Sequence, residues 1–342
     1  MIIQVPGGPN ISLILPSVYS LLQILALTGL GFLLSRYWGW SREFFGGLNR
    51  FLVKIVLPLY FFVKISQTDP ADLRASLLFP LAAAVALVFG VCTSWLLVSL
   101  LPMSGRDRRV SIAMAGFGNS GIIPLMLIEI LPVTLPRVAE RFGTAAPTLF
   151  VGAYLLFLTP MLWSFGNYLV SGKQHKLRLK ELVTPPLIGI MAGFLFLIPP
   201  LQDLLLNPTL PFFHVHSALA MLGRGAYPLI LVCLGSMIAG LRGRVRKDHL
   251  MVAASVAGIR FLLLPALFFA AYYLFLRKMD LPGEVIWVLF LETHLPPATS
   301  LVVMARSETQ SLVSFGLLFT YLCYMVVLPI YLLLFLSLPG LF

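Results

Sequence analysis

Residues 110–130, VSIAMAGFGNSGIIPLMLIEI, and residues 284–307, EVIWVLFLETHLPPATSLVVMARS, decide how this chain is read. Both segments are apolar enough to lie in a membrane, and both are interrupted midway. Gly116, Gly118, Gly121 and Pro124 interrupt the first, and the pair Pro296 and Pro297 interrupts the second. Proline removes a helical N–H and glycine favours non-helical backbone, so each segment should open its backbone at membrane depth. An exposed polar backbone group costs several kcal/mol in lipid, so such breaks persist only where they line a protein-enclosed or watery cavity. Two matched breaks therefore mark a candidate site.

The rest of the chain supplies the setting. Of 342 residues, 59% are hydrophobic and only 11% charged, far from the balance of a soluble domain. Apolar runs near the length needed to cross a bilayer recur along the whole sequence. They predict ten spans, at roughly 16–35, 48–67, 75–101, 110–132, 145–170, 184–201, 213–240, 250–276, 284–305 and 311–337. The fold class expected is all-α integral membrane. The N-terminal MIIQVPGGPNISLILPS lacks the basic region and cleavage site of a secretory signal, so the first span should stay attached.

The net charge of +11 raises the question of nucleic acid, and the distribution of Lys and Arg answers it. Fifteen of the 24 fall in alternate loops, among them Arg36, Arg106, Lys173 and Arg242, whereas the opposite loops hold five. This bias is what membrane topology requires, and it places both termini outside a cell membrane. No aromatic stacking platform accompanies the basic loops, which argues against nucleic acid. Cys92, Cys233 and Cys323 stand singly in apolar runs and read as small core residues.

The basic segment 173–183 divides the spans five and five, giving a first repeat over 1–172 and a second over 184–342. An odd number of spans per half forces opposite orientations, hence inverted repeats. Pro58 matches Pro228 at an offset of 170 residues, and Pro124 matches Pro296 or Pro297 at 172 or 173.

A broken helix offers free N–H groups from one half and free carbonyls from the other, so two crossing breaks create an anion-friendly and a cation-friendly position. Asn119 and Ser120 in the first break, with Thr293, His294, Thr299 and Ser300 around the second, can line a cavity for a small polar solute or cap the half-helices. Glu292 is the sharpest single residue. An acid inside an apolar run costs about 2.5–3.5 kcal/mol on insertion scales, so it is the candidate for binding a proton or a cation. Lys54 and Arg260 are the candidate charge partners, with snorkelling as the alternative for each. Glu129 reads as an acid near the outer interface beside Arg137 and Arg141, and His214 with His216 forms an HxH that lacks a third metal ligand. The sequence contains no GxSxG, HExxH or GxxxxGK[ST] pattern, so no enzyme, metal or cofactor is expected.

The Pro58 region, the GNSGIIPL segment from Gly118 to Leu125, the LPPATSLVVMA segment from Leu295 to Ala305 and the ten-span pattern resemble the auxin efflux carrier family across nearly the whole chain. The short central loop resembles that of bacterial members. The resemblance implies a crossover fold similar to bile acid:sodium symporters and sodium/proton antiporters, with spans one, two, six and seven as a scaffold. It also implies crossover positions at Asn119, Pro124, Pro296, Pro297, Thr299 and Ser300, and dimerisation through the scaffold. The function expected is secondary transport of a small organic anion such as a carboxylate, by alternating access. Coupling to a proton, a sodium-coupled carrier of the related fold, and a membrane sensor remain open.

Overall fold

The computed structural model describes residues 11–172, 182–240, 247–339 and 341. The basic linker expected at 173–183 therefore lies, over 173–181, outside the described residues. The remainder is helical, and its one β feature is an isolated bridge discussed below.

The first half contains α1 (Ile11–Arg36), α2 (Arg42–Phe51), α3 (Leu57–Ser66), α4 (Asp72–Ser76), α5 (Leu78–Ser99), α6 (Gly105–Gly116), α7 (Ile123–Thr134), α8 (Pro136–Phe142), α9 (Ala145–Met161) and α10 (Asn167–Ser171). The second contains α11 (Pro185–Leu195), α12 (Pro199–Leu206), α13 (Pro211–Arg224), α14 (Ala226–Gly240), α15 (Lys247–Gly258), α16 (Leu264–Leu274), α17 (Gly283–Thr293), α18 (Ser300–Met304) and α19 (Ser307–Leu336). Among the described residues, five helical stretches are long and apolar enough to cross a membrane: 72–99, 145–171, 211–240, 247–278 and 308–336. A sixth is added if the bent pair α11 and α12 counts as one span.

Helix α5 shows why water is the wrong solvent. Its buried stripe, Phe79, Ala83, Leu87, Gly90, Ser94 and Val98, has the 3.6-residue period of a packed face. The other face carries Leu81, Val85, Val88, Trp95 and Leu96, all exposed and all apolar. A helix greasy on both its packed and its open face belongs in lipid.

The structure adjusts four of the expected spans. The second begins early, at Arg42, where the Ser41 side chain accepts the Phe44 N–H as an N-cap. It then passes through a π-helical turn, Leu52–Val56, before Pro58. A similar turn, Ile259–Leu263, precedes Pro265 in the eighth, and Leu162–Gly166 follows Pro160 in the fifth. The sixth span does not run straight from 184 to 201: α11 stops at Leu195, and α12 leaves at 104° behind the Pro199 and Pro200 pair.

Two helix pairs pack without intervening side chains. Helix α1 lies along α14, and α3 lies along α11, the two most extensive pairings in the molecule. A Cβ on Gly31 would strike the Val232 carbonyl, and one on Gly235 would strike the Thr28 carbonyl. In the second pair a Cβ on Gly189 would meet the Pro58 carbonyl. Small residues that let backbones touch are the main adhesive between helices in lipid, where the hydrophobic effect is absent. Helices α5, α6, α15 and α19 pack chiefly within their own group, whereas α9 joins α5 on one side to α3 and α11 on the other. Ser111 and Ser255 join α6 to α15 through a buried hydroxyl pair at 2.8 Å, and Trp287 and Phe290 of α17 stack against Phe142 and Phe335.

Gly235→Ala should cost about 1–3 kcal/mol through overpacking and lower the thermal midpoint in detergent. Gly29→Ala, two residues from Gly31 but with nothing within 4 Å of its Cβ, should leave the midpoint unchanged or slightly raised.

Candidate functional site

The two segments expected as the fourth and ninth spans break and cross. Helix α6 starts at Ser104, whose side chain accepts the Asp107 N–H, and ends at Gly116; Phe117 is extended, with φ −107° and ψ 104°. The chain resumes helix at Ile123, with Pro124 in the first turn of α7. Helix α17 ends at Thr293 because Leu295 precedes Pro296, and a residue before proline is disfavoured in helical backbone. The two unwound segments meet as an antiparallel bridge between Gly118 and Pro297. The Asn119 N–H donates to the Pro296 carbonyl at 2.8 Å, and the Ala298 N–H donates to the Phe117 carbonyl at 2.9 Å.

Several buried side chains converge on this bridge. Asn119 Nδ2 donates to the Tyr321 hydroxyl of α19 at 2.6 Å. Arg260, in the π-turn before α16, is 3% exposed; its Nε donates to the Met114 carbonyl at 3.4 Å, near the end of α6. A Cβ on Gly118 would stand 2.7 Å from Arg260 Nη1, so a larger residue there would have to displace the guanidinium. Glu292 is also 3% exposed, and neither of its carboxyl oxygens has a hydrogen-bond partner among the described residues. Ser120 faces that carboxyl, and Tyr154 stands beside both Glu292 and Arg260. The acid and the base share one buried neighbourhood without forming an ion pair, and Arg260 Nη2 is likewise unpartnered.

The other expected residues divide between capping and lining. Thr293 Oγ1 donates to the Phe290 carbonyl at 2.8 Å, so this hydroxyl caps its own helix. His294 is fully buried; its Nδ1 is 2.8 Å from the Phe290 carbonyl, its ring lies against Phe290, and its Nε2 has no partner among the described residues. Ser300 opens α18 and is half-buried. Thr299 lines a cavity of about 360 Å³ together with Asn49, Ser236, Gln310 and Tyr321. That cavity lies at the ends of the spans that carry Ser35, Gly240 and Gln310, and Tyr321 connects it to Asn119.

Lys54 is not brought to the crossing; it is exposed in the first π-turn. The intramembrane lysine that finds a carboxylate is Lys64, whose Nζ is 2.8 Å from Glu129 Oε1, and the Tyr60 hydroxyl donates to the same oxygen at 2.7 Å. Glu129 is thus partnered across helices and not by Arg137 or Arg141; Arg141 instead donates to the Leu341 carbonyl. The HxH pair separates as well, His216 lying buried with Nε2 3.0 Å from Ser66 Oγ while His214 is exposed. Sequence reading missed Tyr154, Tyr321 and Tyr324. The available signal was a phenol in an otherwise apolar run, where its hydroxyl needs a partner; Tyr324's hydroxyl is buried without one.

Comparison with known proteins gives the same picture. The profile of a family described as membrane transport protein matches residues 16–167 and 169–332. Protein PIN-LIKES 7 of Arabidopsis thaliana is 24% identical, over 93% of this chain and 96% of that protein. Protein PIN-LIKES 5 of the same plant is 22% identical over 85% and 89%, and Protein PIN-LIKES 1 is 24% identical over 85% and 72%. With both halves covered by the family profile, and both crossing segments inside the matched ranges, the chain belongs to the membrane transport protein family, that of the auxin efflux carriers.

Proposed function

We propose that this chain is a secondary active transporter of a small organic anion, working by alternating access at the crossing of its fourth and ninth spans. The observation that carries this reading is the pair of buried, mutually unpaired charges, Arg260 and Glu292, beside the Gly118 to Pro297 bridge. Buried charges without partners are costly, and a protein keeps them inside a membrane for binding or coupling. A carboxylate substrate would take its charge partner from Arg260 and a hydrogen bond from Asn119. With Glu292 ionised, the site holding a monovalent anion carries a formal charge of −1; with Glu292 protonated it is neutral. This difference favours proton coupling through Glu292. A sodium-coupled carrier is disfavoured by Arg260, whose guanidinium already sits at the carbonyl end of α6, where the ion would bind.

The architecture we infer is ten spans in two inverted repeats, 1–172 and 184–342, in a bacterial cell membrane with both termini outside. The helix pairing supports it. Exchanging each span for its counterpart five later turns the α1 and α14 pair, spans one and seven, into spans six and two, which are α11 and α3. Both pairs are glycine-seamed. Spans one, two, six and seven then form the scaffold, a surface through which two copies could associate, and the other six carry the crossing.

Counterflow in liposomes, with malate, malonate and indole-3-acetate as labelled probes, tests the reading. Saturable exchange of a carboxylate is expected, and no flux from folded protein with any of the three would count against it. Glu292→Gln should abolish the dependence of transport on a pH gradient while the protein still inserts, and unchanged pH dependence would refute the coupling role. Asn119→Ala should raise the half-saturation concentration about tenfold, the size of one lost hydrogen bond to a charged group. A variant that instead unfolds, with no prior loss of affinity, would show that Asn119 only holds the crossing together.

A further inference from the structure

A second cavity, of about 530 Å³, is separate from the one that Thr299 lines, and only Glu129 and Ile130 reach it from the helix that follows the first break. Its walls come from α1, α3, α7, α13 and α14. Two cations enter it, Lys64 from the last turn of α3 and Arg224 from the last turn of α13, against the single carboxylate of Glu129. The Lys64 and Glu129 side chains are 22% and 28% exposed, so the ion pair is open to whatever fills the cavity. Tyr227, buried to 4% exposure, lines the same space, and its hydroxyl has no hydrogen-bond partner among the described residues. Leu27, Ile130 and Leu231 supply an apolar wall.

We propose that this cavity is a second anion-binding site, distinct from the crossing, that takes a small carboxylate with an apolar body. Lys64 is its anchor, and Glu129 is a resident counter-ion that the ligand carboxylate displaces. The excess of one cation over the carboxylate leaves charge for the ligand to neutralise, and Arg224 and the Tyr227 hydroxyl offer further donors. The apolar body rests on Leu27, Ile130 and Leu231. Lys64 then trades one carboxylate for another, which avoids stripping a lysine of its partner at membrane depth. The ligand class is that of the transport reading, but the site and its residues do not depend on it.

The test is isothermal titration of benzoate into the full chain in phosphatidylcholine nanodiscs, in an Asn119→Ala background that weakens the crossing. Lys64→Gln should weaken binding about tenfold, whereas Glu129→Gln, which removes the competitor and leaves the cation, should tighten it severalfold. An ion pair that only ties α3 to α7 would give both variants the same sign, and that outcome, or no saturable binding by folded protein, overturns the proposal. Should Lys64→Gln fail to fold, Lys64→Arg must keep binding and Arg224→Gln must weaken it; the reverse overturns the site. Repeating the titration in discs containing phosphatidylglycerol separates soluble carboxylate from lipid headgroup. Affinity that survives supports the proposal, and affinity abolished by the anionic lipid assigns the cations to the membrane surface. Opposite signs for Lys64→Gln and Glu129→Gln in a protein that moves no solute would leave this site standing while removing the transport reading.

Discussion

Everything at the crossing follows from the need to satisfy backbone polar groups where water is scarce. Interrupting α6 and α17 releases N–H and C=O groups that lipid cannot serve. The two unwound segments serve each other through Asn119 to Pro296 and Ala298 to Phe117, and so are locked at one crossing point. Side chains take up part of the remainder: Arg260 reaches the Met114 carbonyl, and Thr293 and His294 both turn to the Phe290 carbonyl. What capping does not consume is the chemical resource of the site, namely the Asn119 amide, Arg260 Nη2, the Glu292 carboxyl and His294 Nε2. Capping and ligand binding are therefore two uses of one set of polar atoms.

The crossing was legible in the sequence because proline and glycine act locally. Pro132, Pro160 and Pro329 are carried inside continuous helices, but Pro124 follows a cluster of glycines and Pro296 and Pro297 stand as a pair, and those local combinations mark the positions of unwinding without any knowledge of packing. Glu292 was legible for a similar reason, since an acid in an apolar run is an anomaly by itself. Partnership was not legible, because it depends on residues far apart in the chain that meet only through the fold. Glu129 and Lys64 are 65 residues apart, and Asn119 and Tyr321 are 202 apart. Lys54 fits the snorkelling alternative, standing exposed in a π-helical turn. The π-turn at Leu52–Val56 inserts an extra residue into a helix of 3.6 residues per turn, turning one side of the bulge about 100° relative to the other. The bend after α11 was missed because hydropathy measures solvent preference and does not record direction.

The glycine seams give the second half of the design. Where backbones touch, as Gly31 does Val232 and Gly189 does Pro58, sliding would force carbonyls past one another, so these pairs behave as rigid units. The cross-group contacts are different in kind: they are made by side chains, and both cavities open along them. Helix α14 borders one cavity from Tyr227 to Leu231 and the other from Cys233 to Gly240. At a rise of about 1.5 Å per residue, Leu231 and Cys233 are about 3 Å apart along the axis of α14, so one short stretch of one helix serves both cavities. Both cavities therefore share a wall on the glycine-seamed α1 and α14 pair, and each has its opposite wall on an element of the crossing, α7 for one and the Thr299 to Val302 stretch for the other.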